Sequence, residues 1–149
     1  MAFVHVKGPA KTEGWRKTAS VAIAANSILG LDGTDGYVRQ ANAATTRIVG
    51  ISLRKITSSS TDYASNSVIP VIIPSSDDVF EADTTGTATQ ANVGERYDIG
   101  TNTDGTAQNV NLSGTTQGVI TVVEFISSSK VLVKLNGNYA YTDDKTIND

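Results

Sequence analysis

The stretch Gly118-Val119-Ile120-Thr121-Val122-Val123-Glu124-Phe125-Ile126-Ser127-Ser128-Ser129-Lys130-Val131-Leu132-Val133-Lys134-Leu135 decides the fold. Two β-branched runs, Val119 to Ile126 and Val131 to Leu135, flank the polar break Ser127 to Lys130, which is the pattern of a β-hairpin. In the second run Val131, Val133 and Leu135 share one face and Lys130, Leu132 and Lys134 the other, so the strand is half buried.

Upstream, similar short runs recur: Ser20 to Ile23, Tyr37 to Arg39, Ile48 to Ile56, Val68 to Ile73, Val79 to Ala82, Tyr97 to Ile99 and Val110 to Leu112. Turn chemistry separates them: Asp32-Gly33, Asp35-Gly36, Asp104-Gly105, Asn136-Gly137 and the Ser58-Ser59-Ser60 cluster. The class is therefore all-β. Pro70 and Pro74 remove backbone donors around Val71-Ile72-Ile73, which places that segment at a sheet edge or in a crossing between sheets. Helical patterning is confined to Ala41 to Thr45 and Ala88 to Val93, each about one turn and too short for a scaffold. Residues 1 to 17, with Gly8-Pro9 and Gly14, read as an extended N-terminal arm, residues 18 to 139 as a single compact β domain, and residues 140 to 149 as a polar, flexible C-terminal tail.

The chain has 149 residues, 39% hydrophobic and 18% charged, with a net charge of −3, which fits one domain with a thin core. Such a balance argues against a basic nucleic-acid module, and no apolar run approaches the ~18 residues of a membrane span. No secretory leader pattern stands at the N-terminus, so synthesis in the cytoplasm is expected. Charge is unevenly divided: residues 1 to 60 hold eight basic and three acidic side chains, residues 61 to 149 four basic and twelve acidic. An asymmetric surface is expected from this, suited to basic-to-acidic contacts between copies or to an acidic partner.

Chemistry has little to work with. There is no cysteine, and the one histidine, His5, lies in the arm, where a catalytic base would be poorly fixed. Asp77, Asp78, Glu81 and Asp83 form an acidic cluster around Val79-Phe80; on a strand Glu81 and Asp83 share one face with Val79, opposite Phe80 and Ala82. A glycosidase-like carboxylate pair is conceivable there, but such clefts also use aromatic platforms and Trp15 is the sole tryptophan. The Asp-Gly pairs lack the twelve-residue calcium loop with its terminal Glu, and Gly114 to Gly118 lacks the lysine of a phosphate loop. The reading is of a non-enzyme that needs neither metal nor cofactor.

Several segments resemble the capsid decoration (cement) proteins of tailed bacteriophages. They are Ile48-Val49-Gly50-Ile51-Ser52-Leu53 after the alanine-rich Ala41 to Ala44, Asp78-Val79-Phe80-Glu81-Ala82-Asp83, Val93-Gly94-Glu95-Arg96-Tyr97-Asp98-Ile99, and the runs from Gly118 to Ile126 and Lys130 to Asn136. The resemblance spans roughly residues 30 to 136 and has no catalytic signature. It implies an antiparallel β-barrel or β-tulip domain on the outside of an assembled phage head, bound to the major capsid protein, often as a homotrimer. Direct contact with nucleic acid or membrane is not expected. The family supplies no residue-level motif, so the expected capsid contacts are physical choices within the arm: Phe3, Val4, Val6, Trp15 and Arg16. The alternative is a carbohydrate-binding β module displaying Tyr63, Tyr97, Tyr139 and Tyr141, the last two on one strand face.

Overall fold

A computed structural model describes residues 2–31, 35–45, 47–101 and 107–136. Its strands are β1 (Phe3–Lys7), β2 (Thr12–Arg16), β3 (Ile28–Gly30), β4 (Arg39–Gln40), β5 (Ile48–Ser52), β6 (Val68–Ile72), β7 (Val79–Thr85), β8 (Arg96–Thr101), β9 (Gln108–Asn111), β10 (Ile120–Ser127) and β11 (Lys130–Leu135). The protein is all-β. Among the described residues the only helical element is the 3-10 turn Gln90–Asn92, inside the one-turn stretch expected at Ala88 to Val93, whereas Ala41 to Thr45 forms turns.

The C-terminal half closes into a five-stranded mixed barrel. Strand order runs β7-β11-β10-β8-β9, and β9 returns to β7 through the parallel pairs Thr84–Val110 and Thr85–Asn111. The hairpin β10–β11 is its backbone, and Val122, Val131 and Val133 point inward as the alternation requires. Register shifts between Val122 and Glu124 and between Phe125 and Ser127 bend β10 around the barrel.

The N-terminal half forms a second five-stranded sheet, β2-β6-β5-β3-β4. It also curls, because an isolated parallel bridge joins Lys17 to Val38, with Val38 N–H donating to Arg16 O at 2.9 Å and Thr18 N–H to Val38 O at 2.8 Å. Lys17, fully buried, plugs the end: its ammonium donates to the carbonyls of Ser65 (2.7 Å) and Tyr63 (2.9 Å), so backbone dipoles take the place of water. Inside lie Leu29, Leu31, Val38, Val49, Ile69, Val71 and Ile73. The opposite face presents Ile28, Ile48, Ile51 and Ile72 to the barrel core of Phe3, Phe80, Val110 and Val131. Both faces of β5 are thereby covered and all five of its residues are buried. Its run therefore reads as continuous apolar rather than alternating.

Residues 2 to 17 are extended, but they do not project as an arm. β1 pairs with β7 (Phe3 opposite Ala82, His5 opposite Phe80) and β2 pairs with all of β6 (Thr12 opposite Ile72 through Arg16 opposite Val68). The apolar side chains Ala2 and Phe3 drive this, burying almost completely in the barrel core. β6 is consequently an interior strand rather than an edge. Pro70 is tolerated because its carbonyl, which accepts from Leu53 N–H at 3.0 Å, and its donorless nitrogen both face the end of β5, beyond Ser52. Ser20 to Ile23 forms no strand, only the bridge Ile23–Ile56, and the expected tail at 140 to 149 lies outside the described residues.

One side chain joins the two halves. Gln108, on β9 and 2% exposed, accepts from Ile28 N–H at 2.6 Å and donates to Ile28 O at 3.0 Å and Ala41 O at 2.8 Å. Its carboxamide thus pairs with β3 as a neighbouring strand's peptide group would. Gln108→Ala leaves Ile28 N–H without its partner in an apolar interface and should cost about 3 kcal/mol, since unsatisfied buried groups cost ~1–3 kcal/mol each. Urea unfolding followed by Trp15 fluorescence measures this. A loss below about 1 kcal/mol would mean that apolar contact alone holds the halves together.

Candidate interaction surface

The five nominated contact residues do not form one surface. Phe3 is wholly buried in the barrel core, and Trp15, paired with Ile69, packs half-buried against the second core beside Tyr63. Both are corrected to structural residues: each has an apolar core of its own to join. Val4 is half-buried and lines a small cavity of about 190 Å³ with Glu81, Asp83 and Lys130. Val6 is 46% exposed at the β1 irregularity, and Arg16 is exposed with its guanidinium donating to Asn66 O at 3.0 Å.

The acidic cluster separates into two structural devices. Glu81 and Asp83 face outward while Phe80 and Ala82 enter the core, as the alternation requires. Lys130 sits 2.7 Å from Asp83 Oδ1 and 3.7 Å from Glu81 Oε1, and the Asp83 hydrogen bond foremost raises the lysine pKa. Lys130 thus bridges both carboxylates in one surface ion cluster. Asp78 is fully buried and acts as a hub: its Oδ2 accepts from Ser75 N–H (2.7 Å) and Ser75 Oγ (3.0 Å), its Oδ1 from Ala10 N–H (2.9 Å) and His5 Nε2 (2.9 Å). Gly8 makes this possible, because with φ at +110° a Cβ there would lie 2.5 Å from Asp78 Oδ1. Burial, the largest influence, raises the Asp78 pKa, but the bonds from Ser75, Ala10 and His5 together outweigh it and hold the carboxyl below its ordinary value. His5 is thereby fixed in place as a donor to Asp78, edge-on to Phe80. Among the described residues no group of three His, Cys, Asp or Glu side chains is placed to hold a metal ion.

Asp98 is likewise buried, accepting from the backbone N–H groups of Thr116, Gln117 and Gly118 at 2.7–3.1 Å and so fixing the loop before β10. Asp78 and Asp98 are internal and Asp62 is paired with Arg54, so part of the acidic excess of residues 61 to 149 is not free surface charge; Asp104, Asp143, Asp144 and Asp149 lie outside the described residues. Tyr97 is buried, its hydroxyl accepting from Asn92 Nδ2 at 2.7 Å, and Tyr63 belongs to the second core, so neither displays a platform for sugar; Tyr139 and Tyr141 are outside the described residues.

A surface that the sequence reading missed lies on the outer face of the second sheet. Val68 is 51% and Leu53 46% exposed, and Pro70 is exposed between them, with Leu53 N–H bonded to Pro70 O. Gly14, opposite Pro70, adds no side chain: Val68 leans across it, with Cγ1 2.7 Å from where a Cβ would stand. Basic residues border the patch. Arg16 pairs with Val68, and Lys55, exposed, follows Leu53 by two residues. Next to Leu53 in the chain, Arg54 makes a bidentate pair with Asp62 at 2.7 and 2.8 Å. The Ser67 hydroxyl and then Arg54 lower the Asp62 pKa. The available signal is the spacing of Val68 and Pro70, two residues apart and so on one strand face.

Asp78→Asn should destabilise by about 2–4 kcal/mol at pH 7, because an amide nitrogen would face N–H donors that the carboxylate now accepts from. A depressed native pKa stabilises above the unfolded value, near pH 4, and that contribution is lost as pH falls through the native value. The wild-type advantage should therefore be constant from pH 7 to about 5 and decline as pH falls below the unfolded value near 4 in urea titrations. An advantage that does not change at all as pH falls below about 4 would remove the ionised hub from the account. Compared with known proteins, the chain matches no described protein family, and no curated protein sequence is significantly similar to it.

Proposed function

We propose that the protein is a structural component of a virion that binds the outside of an assembled phage head through the Leu53–Val68–Pro70 patch and steadies contacts between capsomers. The observation that carries this reading is the patch itself: adjacent apolar side chains, more than two-fifths exposed at Leu53 and Val68, on a rigid sheet and bordered by Arg16 and Lys55. Apolar groups beside cations fit an acidic protein surface, and the resemblance to decoration proteins supports taking that partner to be the major capsid protein at the capsid exterior. The resemblance of the β runs between residues 30 and 136 to decoration proteins supports the same reading, as does the commitment of Asp78, Asp98 and the Glu81–Asp83–Lys130 group to structural bonds.

The mechanism is mass action. A protein that binds only the assembled lattice stabilises it by RT ln(1 + [L]/Kd), about 2.7 kcal/mol per site at a hundredfold excess over Kd. No reaction, metal or cofactor enters.

Purified protein should co-sediment saturably with phage heads that lack it. Val68→Asp and Leu53→Ser, both at exposed positions, should lower head affinity at least about tenfold without lowering Tm, and Arg16→Glu should weaken binding most at low salt. Protein that stays in the supernatant with every head preparation, or a Val68→Asp variant that binds like wild type, would overturn the proposal. Deleting residues 1 to 17 is no substitute for these variants, since it removes β1 and β2 and with them Phe3 from the core.

A further inference from the structure

On the outer face of the barrel, across the neighbouring strands β1-β7-β11-β10, a groove of about 320 Å³ runs past Lys7, Asp77, Lys134 and Glu124, with the half-buried Leu132 and Val123 among them. Phe80, Val131 and Val133 occupy the barrel core, so alternation turns Leu132 and Lys134 outward, and Lys7, Asp77 and Glu124 are exposed. None of these four charged side chains has a hydrogen bond or ion pair with a described residue, whereas Glu81, Asp83 and Lys130 on the same face are joined to one another.

Across the strands the signs of the unpaired charges alternate: Lys7 on β1, Asp77 two residues before β7, Lys134 on β11 and Glu124 on β10. These four sum to zero, so neither a uniformly acidic nor a uniformly basic surface complements them. Reversing the strand order, however, exchanges every positive side chain for a negative one. A two-fold axis that lies in the plane of contact, parallel to the strands and between β7 and β11, performs this reversal, and it is the symmetry of an isologous dimer.

We propose that this face pairs with the same face of a second copy of the chain. Lys7 then meets Glu124 of the second copy and Asp77 meets Lys134, each contact occurring twice by symmetry. Register permits it: Lys7 pairs with Val79 and Lys134 stands abreast of Val79, one step past the Val133–Phe80 pair, while Asp77 and Glu124 lie two residues away along the strands in opposite directions. Two residues are about 7 Å, which the four-carbon stem of a lysine spans. Lys130 likewise falls opposite Asp83 of the second copy, because the two are partners in one row. Pairing covers Leu132 and Val123, and Val6 and Ile126, 46% and 42% exposed on the two outermost strands, add apolar contact. Four strands about 4.8 Å apart and some six residues long give roughly 400 Å² per copy, or about 800 Å² in all, which is below the standard interface size. The dimer is accordingly reversible, in the micromolar class and sensitive to salt. It uses no residue of the Leu53–Val68–Pro70 patch, so one dimer carries two copies of that patch.

Sedimentation equilibrium of the full chain from about 5 to about 500 µM tests this, a range that brackets micromolar dissociation constants. A monomer–dimer equilibrium is expected, weakened several-fold when NaCl is raised from about 50 to about 500 mM. Lys7→Glu and Glu124→Lys, both at exposed positions, should each weaken self-association at least about tenfold with Tm unchanged, because each sets like charges against one another at two symmetric contacts. An equimolar mixture of the two variants should associate as wild type does, since the chain carrying Lys7→Glu then faces the chain carrying Glu124→Lys with every contact again of opposite sign. A chain that stays monomeric at the highest concentration, a trimer in place of a dimer, single variants that associate as wild type, or a mixture that fails to recover association would each overturn the inference. The measurement involves no phage heads, so its outcome is separate from that of the decoration reading.

Discussion

The architecture depends on one requirement: the backbone polar groups of Ile28 must be satisfied where the N-terminal sheet meets the C-terminal barrel. That interface is otherwise apolar, built from Ile28, Ile48, Ile51 and Ile72 on one side and the barrel core on the other. Apolar packing is non-directional and would allow the halves to slide or rotate. The Gln108 carboxamide removes that freedom, because it meets the N–H and C=O of a single residue, with Ala41 O as a third partner, in one geometry. Any slippage would strand all three bonds at once.

Around this joint, the N-terminal strands act as straps. β1 is bonded to the barrel through β7, while Phe3 N–H donates to Asn26 O at 2.8 Å, just before β3. β2 then crosses to the other sheet, and the connection between them wraps around buried Asp78. Polar side chains buried at the seams, Lys17, Asp78, Asp98 and Gln108, each hold two or more segments distant in sequence. Such groups contribute less to net stability than to the uniqueness of the arrangement, since each has one satisfied geometry and many costly ones.

This explains what the sequence made legible. The β10–β11 hairpin was readable because its alternation and its polar turn are local signals, and Val131 and Val133 occupy the inward positions that alternation dictates. β1 and β2 were not, because each is five residues long and takes its pairing from a strand more than fifty residues away, and β3 is only three residues long. β2 in particular, Thr-Glu-Gly-Trp-Arg, has the composition of a loop and becomes a strand only because β6 offers an edge. The same limit applies to site residues. Trp15 and Phe3 look like spare apolar groups in a polar stretch until the cores they complete are known. Asp78 and Asp98 look like surface charge until their backbone donors are assembled around them. Leu53 and Val68, in contrast, look like ordinary strand residues and are left exposed to water.

The loss of a free arm changes the energetics of the proposed head binding. An arm that orders on contact would spread its affinity over many residues and lose conformational entropy in doing so, at about 1–2 kcal/mol per residue fixed. A patch on a braced sheet is already ordered and avoids that cost. It is also small: Leu53, Val68 and Pro70 with their basic border cover far less than the roughly 1,000 Å² that a stable pairwise interface needs. One copy acting alone would therefore hold a capsid surface weakly. Durable attachment follows if several patches engage together, because each further contact then forms at the millimolar effective concentration set by the first. A decoration role for this chain thus requires either a homo-oligomer that presents its patches in register with the lattice or a second contact region beside the first. Val6, at the exposed end of β1, and Ile126, on β10, are exposed apolar side chains on the barrel half available for that task.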